Sequence, residues 1–266
     1  APQFVTYFGG AGFDACTGIA VGAADGAIAV AGGTTSTDFP FAGTGDAAFR
    51  RTKATADRDA FVAKFAAAGN SLVYSGVMGG SGADQANAIA LDATGRAFVT
   101  GYTEGAGFPA LTGPAPFSGC VACAFVARIA ADGTATGYSG SFQGNGASQA
   151  GHAVAVDAGG NAYVAGETDA TASLPSMTGT FRTSPGSGDG DGFVAKVDSA
   201  GSMAFFTILA GTSASPRTGV DRALAIAIDA DGTLLVAGET DSANFPADNA
   251  GTRLGTGGVQ SAPSGN

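Results

Sequence analysis

The residues in this sequence best suited to chemistry are three cysteines and a single histidine: Cys16, Cys120, Cys123 and His152. A c-type haem would require a histidine immediately after the second cysteine of Cys-Val-Ala-Cys, where the sequence has Ala124. A zinc site built on Cys120 and Cys123 would need two more ligands, and the only other cysteine and histidine in the chain are Cys16 and His152. A redox-active pair normally begins a helix, whereas this one leads into a strand-like run. We therefore predict that Cys120 and Cys123 form a local disulfide or remain two buried thiols.

Alternating aspartate and glycine residues form a second group of candidates. Asp189 and Asp191 lie in Gly-Asp-Gly-Asp-Gly, and Asp229 and Asp231 lie in Asp-Ala-Asp-Gly. Ca²⁺ prefers oxygen ligands, so these four residues are the candidate calcium ligands. The first stretch lacks the closing glutamate of an EF-hand loop. The favoured interpretation is a strand lead-in at 188–192 and a turn at 229–232, with Ca²⁺ possible and no other cofactor expected.

Two glutamates are candidates for catalysis. Glu167 and Glu239 stand in equivalent Gly-Glu-Thr motifs, and glycoside hydrolysis uses two carboxylates about 5–10 Å apart beside a pocket. A carbohydrate-active lyase or hydrolase, with acids at the mouth of a channel, is therefore an alternative function. No Gly-x-Ser-x-Gly motif accompanies His152, which is expected to be a structural histidine near a strand start. The favoured interpretation is that the acids cap turns and that the chain has no catalytic residue and is not an enzyme.

The charge balance restricts the partners. The chain has 12 Lys and Arg against 22 Asp and Glu, a net charge of −10. Nucleic acids and anionic membrane surfaces both attract clustered cationic charge, so neither partner is expected. No apolar run approaches the roughly 18–20 residues of a membrane span. The opening Ala-Pro-Gln would suit a processed N-terminus, which is compatible with export.

The candidate residues are distributed over a tandem repeat of short alternating runs. Each unit begins with an apolar core run, whose first large aliphatic residues are Ile19, Ile89, Val154 and Ile226. A second run and a proline follow, and three units then contain a Phe-Val-Ala-(Lys/Arg) run, at Phe61, Phe125 and Phe193. Alternation with period two predicts strands, and Asp-x-x-Gly at 92–95, 157–160 and 229–232 predicts hairpin turns. With a fourth run before the next unit, each unit is predicted to be a four-stranded antiparallel meander.

The length of the unit distinguishes two repeat architectures. A spacing of about 70 residues exceeds the roughly 20–30 of a solenoid coil and accommodates a four-stranded propeller blade of about 40 or more. The core runs carry large aliphatics on one face and alanine on the other, which suits strands that converge near a propeller axis. We therefore predict an all-β protein, a β-propeller of four-stranded antiparallel blades with four repeats visible and the last incomplete. The predicted single domain spans 1–266, with units at approximately 11–80, 81–146, 147–211 and 212–266 and an N-terminal strand at 3–10.

The motifs of the repeat occur in a recognisable order. They are Tyr/Phe-x-Gly-Gly, Gly-Asn-Ala-Tyr-Val-x-Gly-x-Thr, Phe-Pro and Asp-Ala-Phe-Val-Ala-Lys, carried by residues such as Tyr7–Gly10, Asp59–Phe65, Val154–Thr168 and Asp191–Asp198. This pattern resembles the bacterial SBBP-type β-propeller repeat over nearly the whole chain. The resemblance implies a secreted or surface-exposed bacterial protein and no particular reaction.

The insertions of the repeat suggest a binding function. The longest, 42–58, 110–123 and 176–191, all fall between second and third strands and are expected to cluster on one side as the partner site. We predict a non-catalytic exported scaffold, a structural or interaction subunit of a bacterial surface or extracellular assembly that binds a protein or glycan through its loop faces. Its expected location is extracellular, on the cell surface or periplasmic.

The two ends of the sequence suggest a second alternative, a polymer-forming subunit joined by strand complementation. The run at 3–10 is an outer strand without its own blade, and the last unit lacks a Phe-Val-Ala-Lys run before Asn266. We expect either that the polypeptide continues past Asn266 or that a partner strand fills the gap in a homo-oligomer or larger assembly.

Overall fold

The computed structural model describes residues 5–50, 52–53, 55–109, 122–142, 148–169, 190–211, 219–242 and 245. Every regular element in this part of the chain is a β-strand, which confirms the all-β prediction. Among the same residues there is no helix long and apolar enough to cross a membrane.

The described strands form four antiparallel sheets in chain order, and each strand pairs with the next along the chain. Sheet 1 consists of β1 (Asp14–Val21), β2 (Ile28–Thr34), β3 (Asp59–Phe65) and β4 (Leu72–Met78). Sheet 2 consists of β5 (Asp84–Leu91), β6 (Ala97–Glu104), β7 (Ala122–Ile129) and β8 (Thr136–Ser141). Sheet 3 consists of β9 (Gln149–Val156), β10 (Ala162–Thr168), β11 (Asp191–Val197) and β12 (Met203–Leu209). Sheet 4 contains β13 (Asp221–Ile228) and β14 (Leu234–Thr240).

Tight turns join the first two strands of sheets 2, 3 and 4, as the Asp-x-x-Gly motifs predict. In the first of these turns the amide of Gly95 donates to the carbonyl of Asp92 at 2.9 Å, and the Asp92 carboxylate accepts from the amide of Thr94. The turn glycines have φ values of 80°, 77° and 86°, in the left-handed region: Gly95, Gly160 and Gly232. Glycine adopts this conformation without the steric cost that a side chain would impose.

The first strand of each following sheet packs across the face of the sheet before it. Strand β5 contacts β1, β2 and β3, β9 contacts β5, β6 and β7, and β13 contacts β9, β10 and β11. Ile89 of β5 belongs to a core shared with Val62 of sheet 1. Ala88 and Ala90 of the same strand pack instead on the core that contains Val154 of sheet 3. Large side chains thus face the preceding sheet and alanines face the following one, as the core runs predict.

A β-bulge interrupts the first strand of every described sheet at its fourth residue, at Thr17, Asn87, His152 and Leu224. The bulge places the first-strand backbone against a glycine of the second strand. A Cβ on Gly32 would lie 1.9 Å from the carbonyl oxygen of Ala15, and one on Gly101 would lie 1.8 Å from that of Gln85. No side chain fits at these distances, which explains the glycine that recurs near the end of each second strand.

The first and last sheets each leave one face exposed. Ile19 and Val21 on β1 are 69% and 64% exposed, whereas the equivalent Ile89 on β5 is buried. At the other end, Ala225 and Ala227 of β13 are exposed, and so is most of β14. The described sheets therefore form an open row and do not establish the total number of blades.

Candidate functional site

The bulge residues link consecutive sheets through their first strands. Oγ1 of Thr17 donates to the carbonyl of Ala86 on β5, and Nδ2 of Asn87 donates to the carbonyl of Gly151 on β9 at 2.9 Å. His152 occupies the same bulge position in sheet 3. The lone histidine of the chain is therefore placed by a recurring backbone feature close to the start of its strand.

Ion pairs join sheets 3 and 4 at the end where the second strands finish, here called the upper end. Nε2 of His152 lies 3.4 Å from Oε1 of Glu167, whose other carboxylate oxygen is bound by the guanidinium of Arg222 on β13. Nη1 of Arg222 lies 2.6 Å from Oε1 of Glu239. The structure therefore brings the two glutamates of the catalytic hypothesis together around one arginine.

These contacts determine the charge of Glu167. The His152 side chain holds the pKa of Glu167 below its ordinary value, and Arg222 adds to this effect while burial opposes it. The general acid of a glycoside hydrolase needs a raised pKa, so that it keeps its proton near neutral pH. Glu167 is instead a carboxylate at neutral pH and is suited to accepting hydrogen bonds.

A cavity of about 310 Å³ lies at the upper end between sheets 2, 3 and 4. The side chains that give the cavity its chemical character are Tyr102, Glu104, Gln149, Glu167, Asp169 and Arg222. Three carboxylates and one guanidinium make the lining acidic and rich in hydrogen-bond acceptors, and the tyrosine adds an aromatic ring. Such a lining suits a polar ligand with several hydroxyl or amide donors.

Several other acids at the upper end accept hydrogen bonds from the backbone. Oδ1 of Asp38 accepts from the amide of Ala11 at 2.8 Å, and Oδ1 of Asp169 accepts from the amide of Ser148. Asp241 makes the equivalent contact in sheet 4. Each bond ties the end of a second strand to the segment ahead of the first strand. These acids therefore have a structural role, although they join segments 21 to 27 residues apart and do not cap local turns as the sequence predicts.

One segment of the chain matches a known family model. It begins at the last residue of β4, includes β5 and β6, and ends at the Phe-Pro that follows β6. Residues 78–109 match the SBBP family model, a beta-propeller repeat. The predicted resemblance is confirmed for this SBBP segment. No curated protein matches the chain.

A buried aspartate begins the first strand of the SBBP segment, and the sequence analysis missed it. Oδ2 of Asp84 accepts from the amide of Gly80 at 2.8 Å, and burial raises the pKa of Asp84 to about 6. A Cβ on Gly79 would lie 2.5 Å from an oxygen of both Asp84 and Asp59, so the two carboxylates approach each other around this glycine. The Gly-Gly dipeptide ahead of the strand was the available signal.

The same contact recurs in two other sheets. The carboxylates of Asp14 and Asp221 accept from the amides of Gly10 and Gly211 at 2.8 and 2.7 Å. Hydroxyl groups at the end of the second strand also donate to these aspartates, at Ser36, Thr240 and Ser242. The aspartate that accepts from a glycine amide and from a hydroxyl group is therefore a structural element of the repeat, and it secures the start of the first strand.

The candidate calcium ligands are not brought together. Asp191 is buried at the upper end, where β11 begins, whereas Asp229 and Asp231 lie in the β13–β14 turn at the opposite end of the sheets. Oδ1 of Asp231 accepts from the amide of Thr233 at 2.9 Å, as a turn-capping residue does. Asp189 lies outside the described residues. Within the described ranges no group of three or more His, Cys, Asp or Glu could hold a metal ion.

The cysteines are placed in two different sheets. Cys123 on β7 is disulfide-bonded, and Cys16 on β1 is a free thiol. Cys120 lies outside the described residues, so its predicted pairing with Cys123 stays a prediction. Ala122, next to Cys123, lines the cavity at the upper end.

The first of the three insertions does not project from the upper end. Its residues run beside the outer strand of sheet 1, where Ala42 and Arg50 form antiparallel bridges with Ser75 and Val77 of β4. This pairing covers an edge strand that would otherwise expose its backbone groups. Most residues of the other two insertions, 110–123 and 176–191, lie outside the described residues, so the predicted cluster of loops stays a prediction.

Two of the three cations of the Phe-Val-Ala-(Lys/Arg) runs, Lys64 and Arg128, contact the following sheet. Nζ of Lys64 donates to the carbonyls of Gly95 and Ala131 in sheet 2, at 3.1 and 3.4 Å. Arg128 donates to the carbonyl of Ser199, in the equivalent turn of sheet 3, at 2.5 Å. Lys64 and Arg128 therefore fasten each of their sheets to the next.

Proposed function

We propose that the chain is a non-catalytic β-propeller scaffold whose four sheets are consecutive blades. The packing of each first strand across the preceding sheet supports this proposal. The two exposed faces of the row also carry side chains of different size: Ile19 and Val21 are large, and Ala225 and Ala227 are small. At each contact between neighbouring sheets a face with large side chains packs against a face with small ones. Each exposed face therefore suits a further blade of the same type.

The scaffold binds a protein or glycan at the upper end, in the cavity beside Glu167 and Arg222. The observation that carries this proposal is the pair of contacts that Arg222 makes with Glu167 and Glu239. They orient both carboxylates, and the lowered pKa of Glu167 favours recognition of hydrogen-bond donors over proton transfer. Tyr102 offers an apolar ring face beside these acids, a combination typical of sites for sugars and polar peptides.

The protein functions outside the cytoplasm, at the cell surface, in the periplasm or in the medium. The disulfide at Cys123 supports this location, because disulfides persist in oxidising compartments. There the scaffold acts as a structural or interaction subunit of a larger assembly.

Ligand binding and catalysis can be tested in one experiment. The purified chain is screened against soluble polysaccharides by affinity electrophoresis, and the same mixtures are analysed for released oligosaccharides. Protein partners are sought with a photo-crosslinking residue at position 102. We expect binding that Tyr102→Ala and Glu104→Gln both weaken, while Val73→Ala, at an exposed position of β4, leaves binding unchanged.

Two outcomes would contradict the proposal. Release of oligosaccharide that stops in Glu167→Gln would show that the acids are catalytic. Absence of both a retained polysaccharide and a specific crosslink would show that the cavity at the upper end is not a binding site.

A further inference from the structure

The cavity at the upper end reflects the absence of two side chains that fill the same place one sheet earlier. Between sheets 1 and 2, Arg58 and Gln85 lie against Gly33, the last residue but one of β2. A Cβ on Gly33 would lie 2.9 Å from Cδ of Arg58 and 3.0 Å from Cδ of Gln85. Gln85 is buried, so the chain itself occupies this place.

The strand register identifies the equivalent residues between sheets 2 and 3. Ala150 is the second residue of β9, as Gln85 is of β5. Ala122 precedes the third-strand residue that faces the threonine of the second strand, which is the position of Arg58 in sheet 1. Both alanines line the cavity. Two side chains that end at Cβ therefore leave open the space that two long side chains fill in the preceding pair of sheets.

A guanidinium group occupies the equivalent place on either side of the cavity. Between sheets 1 and 2 it belongs to Arg58, whose Cζ lies 5.8 Å from the centre of the Phe13 ring. Between sheets 3 and 4 it belongs to Arg222, the second residue of β13, which the carboxylates of Glu167 and Glu239 hold. In the described part of the chain, the place between sheets 2 and 3 lacks the guanidinium that both neighbouring places contain.

The lining of the cavity suits such a group. Tyr102, in the place of Gly33, presents an aromatic ring, and a guanidinium stacks on aromatic faces. Among the described residues, the carboxylate of Glu104 has no hydrogen-bond or ion-pair partner. Oδ1 of Asp169 accepts one backbone hydrogen bond, from Ser148, and a carboxylate has further lone pairs. The place therefore offers a flat ring and carboxylate oxygens that can still accept hydrogen bonds.

The arginine of the lining does not cancel the negative charge. The guanidinium of Arg222 is engaged by Glu167 and Glu239. Glu104 and Asp169 remain as two negative charges in the lining, and the net charge of −10 on the whole chain attracts a basic partner. The charge balance therefore favours a cationic ligand.

We propose that the cavity receives the arginine side chain of a partner protein. Its guanidinium stacks on the ring of Tyr102 and donates to the carboxylates of Glu104 and Asp169. A neutral sugar has no positive charge to pair with these acids, and the ammonium of lysine lacks the flat face and the paired donors of a guanidinium. This proposal rests on the cavity being a binding site and names the chemistry of its ligand.

The test uses the whole 266-residue chain and Nα-acetyl-arginine amide, a probe that carries no charge besides its guanidinium. Saturation-transfer NMR at about 0.15 M salt, where long-range attraction is screened, should show saturable binding. The citrulline analogue keeps the shape without the charge and should bind about tenfold more weakly or worse. The lysine analogue should also bind more weakly than the arginine probe. Glu104→Gln and Tyr102→Ala should each weaken binding of the arginine probe about fivefold.

Substitutions that fill the cavity provide a sharper test. Ala150→Gln introduces the side chain found at the equivalent position of β5, and Ala122→Arg introduces the one found just before β3. Each should reduce affinity for the arginine probe at least about tenfold, because the space is then occupied. Ala15→Gln, the same substitution at the equivalent position of β1 and outside the cavity lining, is the matched control and should leave affinity unchanged. Urea unfolding shows whether each variant is folded.

Several outcomes would overturn the proposal. They include equal affinity for the arginine and citrulline probes, and unchanged affinity in a folded Ala150→Gln or Ala122→Arg variant. Much tighter binding of free arginine than of the blocked probe would identify a free amino acid as the ligand and exclude a protein. Arg182 and Arg217 lie outside the described residues, between β10 and β11 and between β12 and β13. If the probe binds only after one of them is replaced by alanine, an arginine of the chain itself fills the cavity and the proposal is wrong.

Failure of this proposal can be distinguished from failure of the proposed function. A retained polysaccharide or a specific crosslink at position 102, with no binding of the arginine probe, would overturn the arginine proposal alone. Absence of a retained polysaccharide, a crosslink and probe binding would overturn both.

Discussion

Replacement of Asp84 by asparagine should change the pH dependence of stability in a direction set by burial. Asp84 is fully buried at the start of β5, and its pKa in the folded protein is raised from 3.8 to about 6, chiefly because burial disfavours the carboxylate. The folded protein therefore keeps this proton to a higher pH than the unfolded chain does. The free energy of unfolding falls as the pH rises between the two values, from about 4 to about 6.

The size of the effect follows from the shift. A displacement of roughly two pKa units corresponds to about 3 kcal/mol of unfolding free energy, lost progressively across this pH window. Asparagine keeps an oxygen that can accept from the amide of Gly80 but does not ionise. In Asp84→Asn this part of the pH dependence should disappear. Relative to the wild type, the unfolding free energy of the variant should rise by about 3 kcal/mol between pH of about 4 and 7. A difference between the two proteins that does not change with pH leaves this expectation unaffected.

Urea unfolding at pH values from about 4 to 7 measures this difference directly. Burial also raises the pKa of Asp59 and Asp221, and the charge of Asp59 adds to the shift of Asp84, so the difference between variant and wild type reports Asp84 together with its coupling to Asp59. Asp92→Asn is the matched control. Burial alone would raise the pKa of Asp92, but hydrogen bonds from Thr94 and Arg96 outweigh burial and lower it.

The control should show no such trend. A lowered pKa contributes stability that is fully present above the unfolded value and is lost only as the pH falls below about 4, so the difference between Asp92→Asn and the wild type should stay constant between pH of about 4 and 7. If the curves of Asp84→Asn and the wild type run parallel over this range, Asp84 does not hold a proton there and the argument from burial is refuted.

Three further substitutions test the contacts of the repeat. Gly101→Ala places a Cβ 1.8 Å from a carbonyl oxygen and should lower the free energy of unfolding in urea by about 3 kcal/mol or more. Gly232→Ala has open space around the new Cβ and only an unfavourable φ of 86°, so it should cost about 1 kcal/mol. Equal costs would contradict the close approach at the bulge. Asn87→Ala removes the hydrogen bond to Gly151 and should cost about 1 kcal/mol; unchanged stability would show that this link between sheets 2 and 3 is not stabilising. Arg222→Ala should raise the pKa of Glu167 towards its ordinary value, as measured by NMR titration of labelled glutamate, and an unchanged titration would show that Arg222 does not act on this carboxylate.

Much of the fold could be predicted because its signals are local. Alternation of apolar and polar residues with period two specifies strands over five to eight neighbouring positions, and Asp-x-x-Gly specifies the turn at Asp92–Gly95 from four. Ile89 lies on the opposite face of β5 from Ala88 and Ala90, and this likewise follows from the pleat of a single strand. These features require no knowledge of distant residues, so one sequence was sufficient to predict them.

The candidate site depended on contacts that the sequence does not encode locally. Glu167 and Glu239 were identified as equivalent, but the arginine between them was not, because Arg222 lies 55 positions from Glu167 along the chain. The role of His152 as a bulge residue was missed for a similar reason, since the bulge is visible only in the register of β9 against β10. The sequence predicted acids at the upper end, and the structure showed that they are ion-paired.

The sequence by itself determined the repeat, its strands, its turns and the match of residues 78–109 to the SBBP family model, because each depends on residue types a few positions apart. Only the tertiary structure decided which charges meet, which aspartate is buried and which strand edge is left exposed. Those properties depend on solvent access and on distances between different sheets, as at Asp84 and along β14. The Phe-Val-Ala-Lys pattern shows the difference: its recurrence is a fact of sequence, and the pairing of its phenylalanine with a glycine of the second strand is seen only in the register of three sheets.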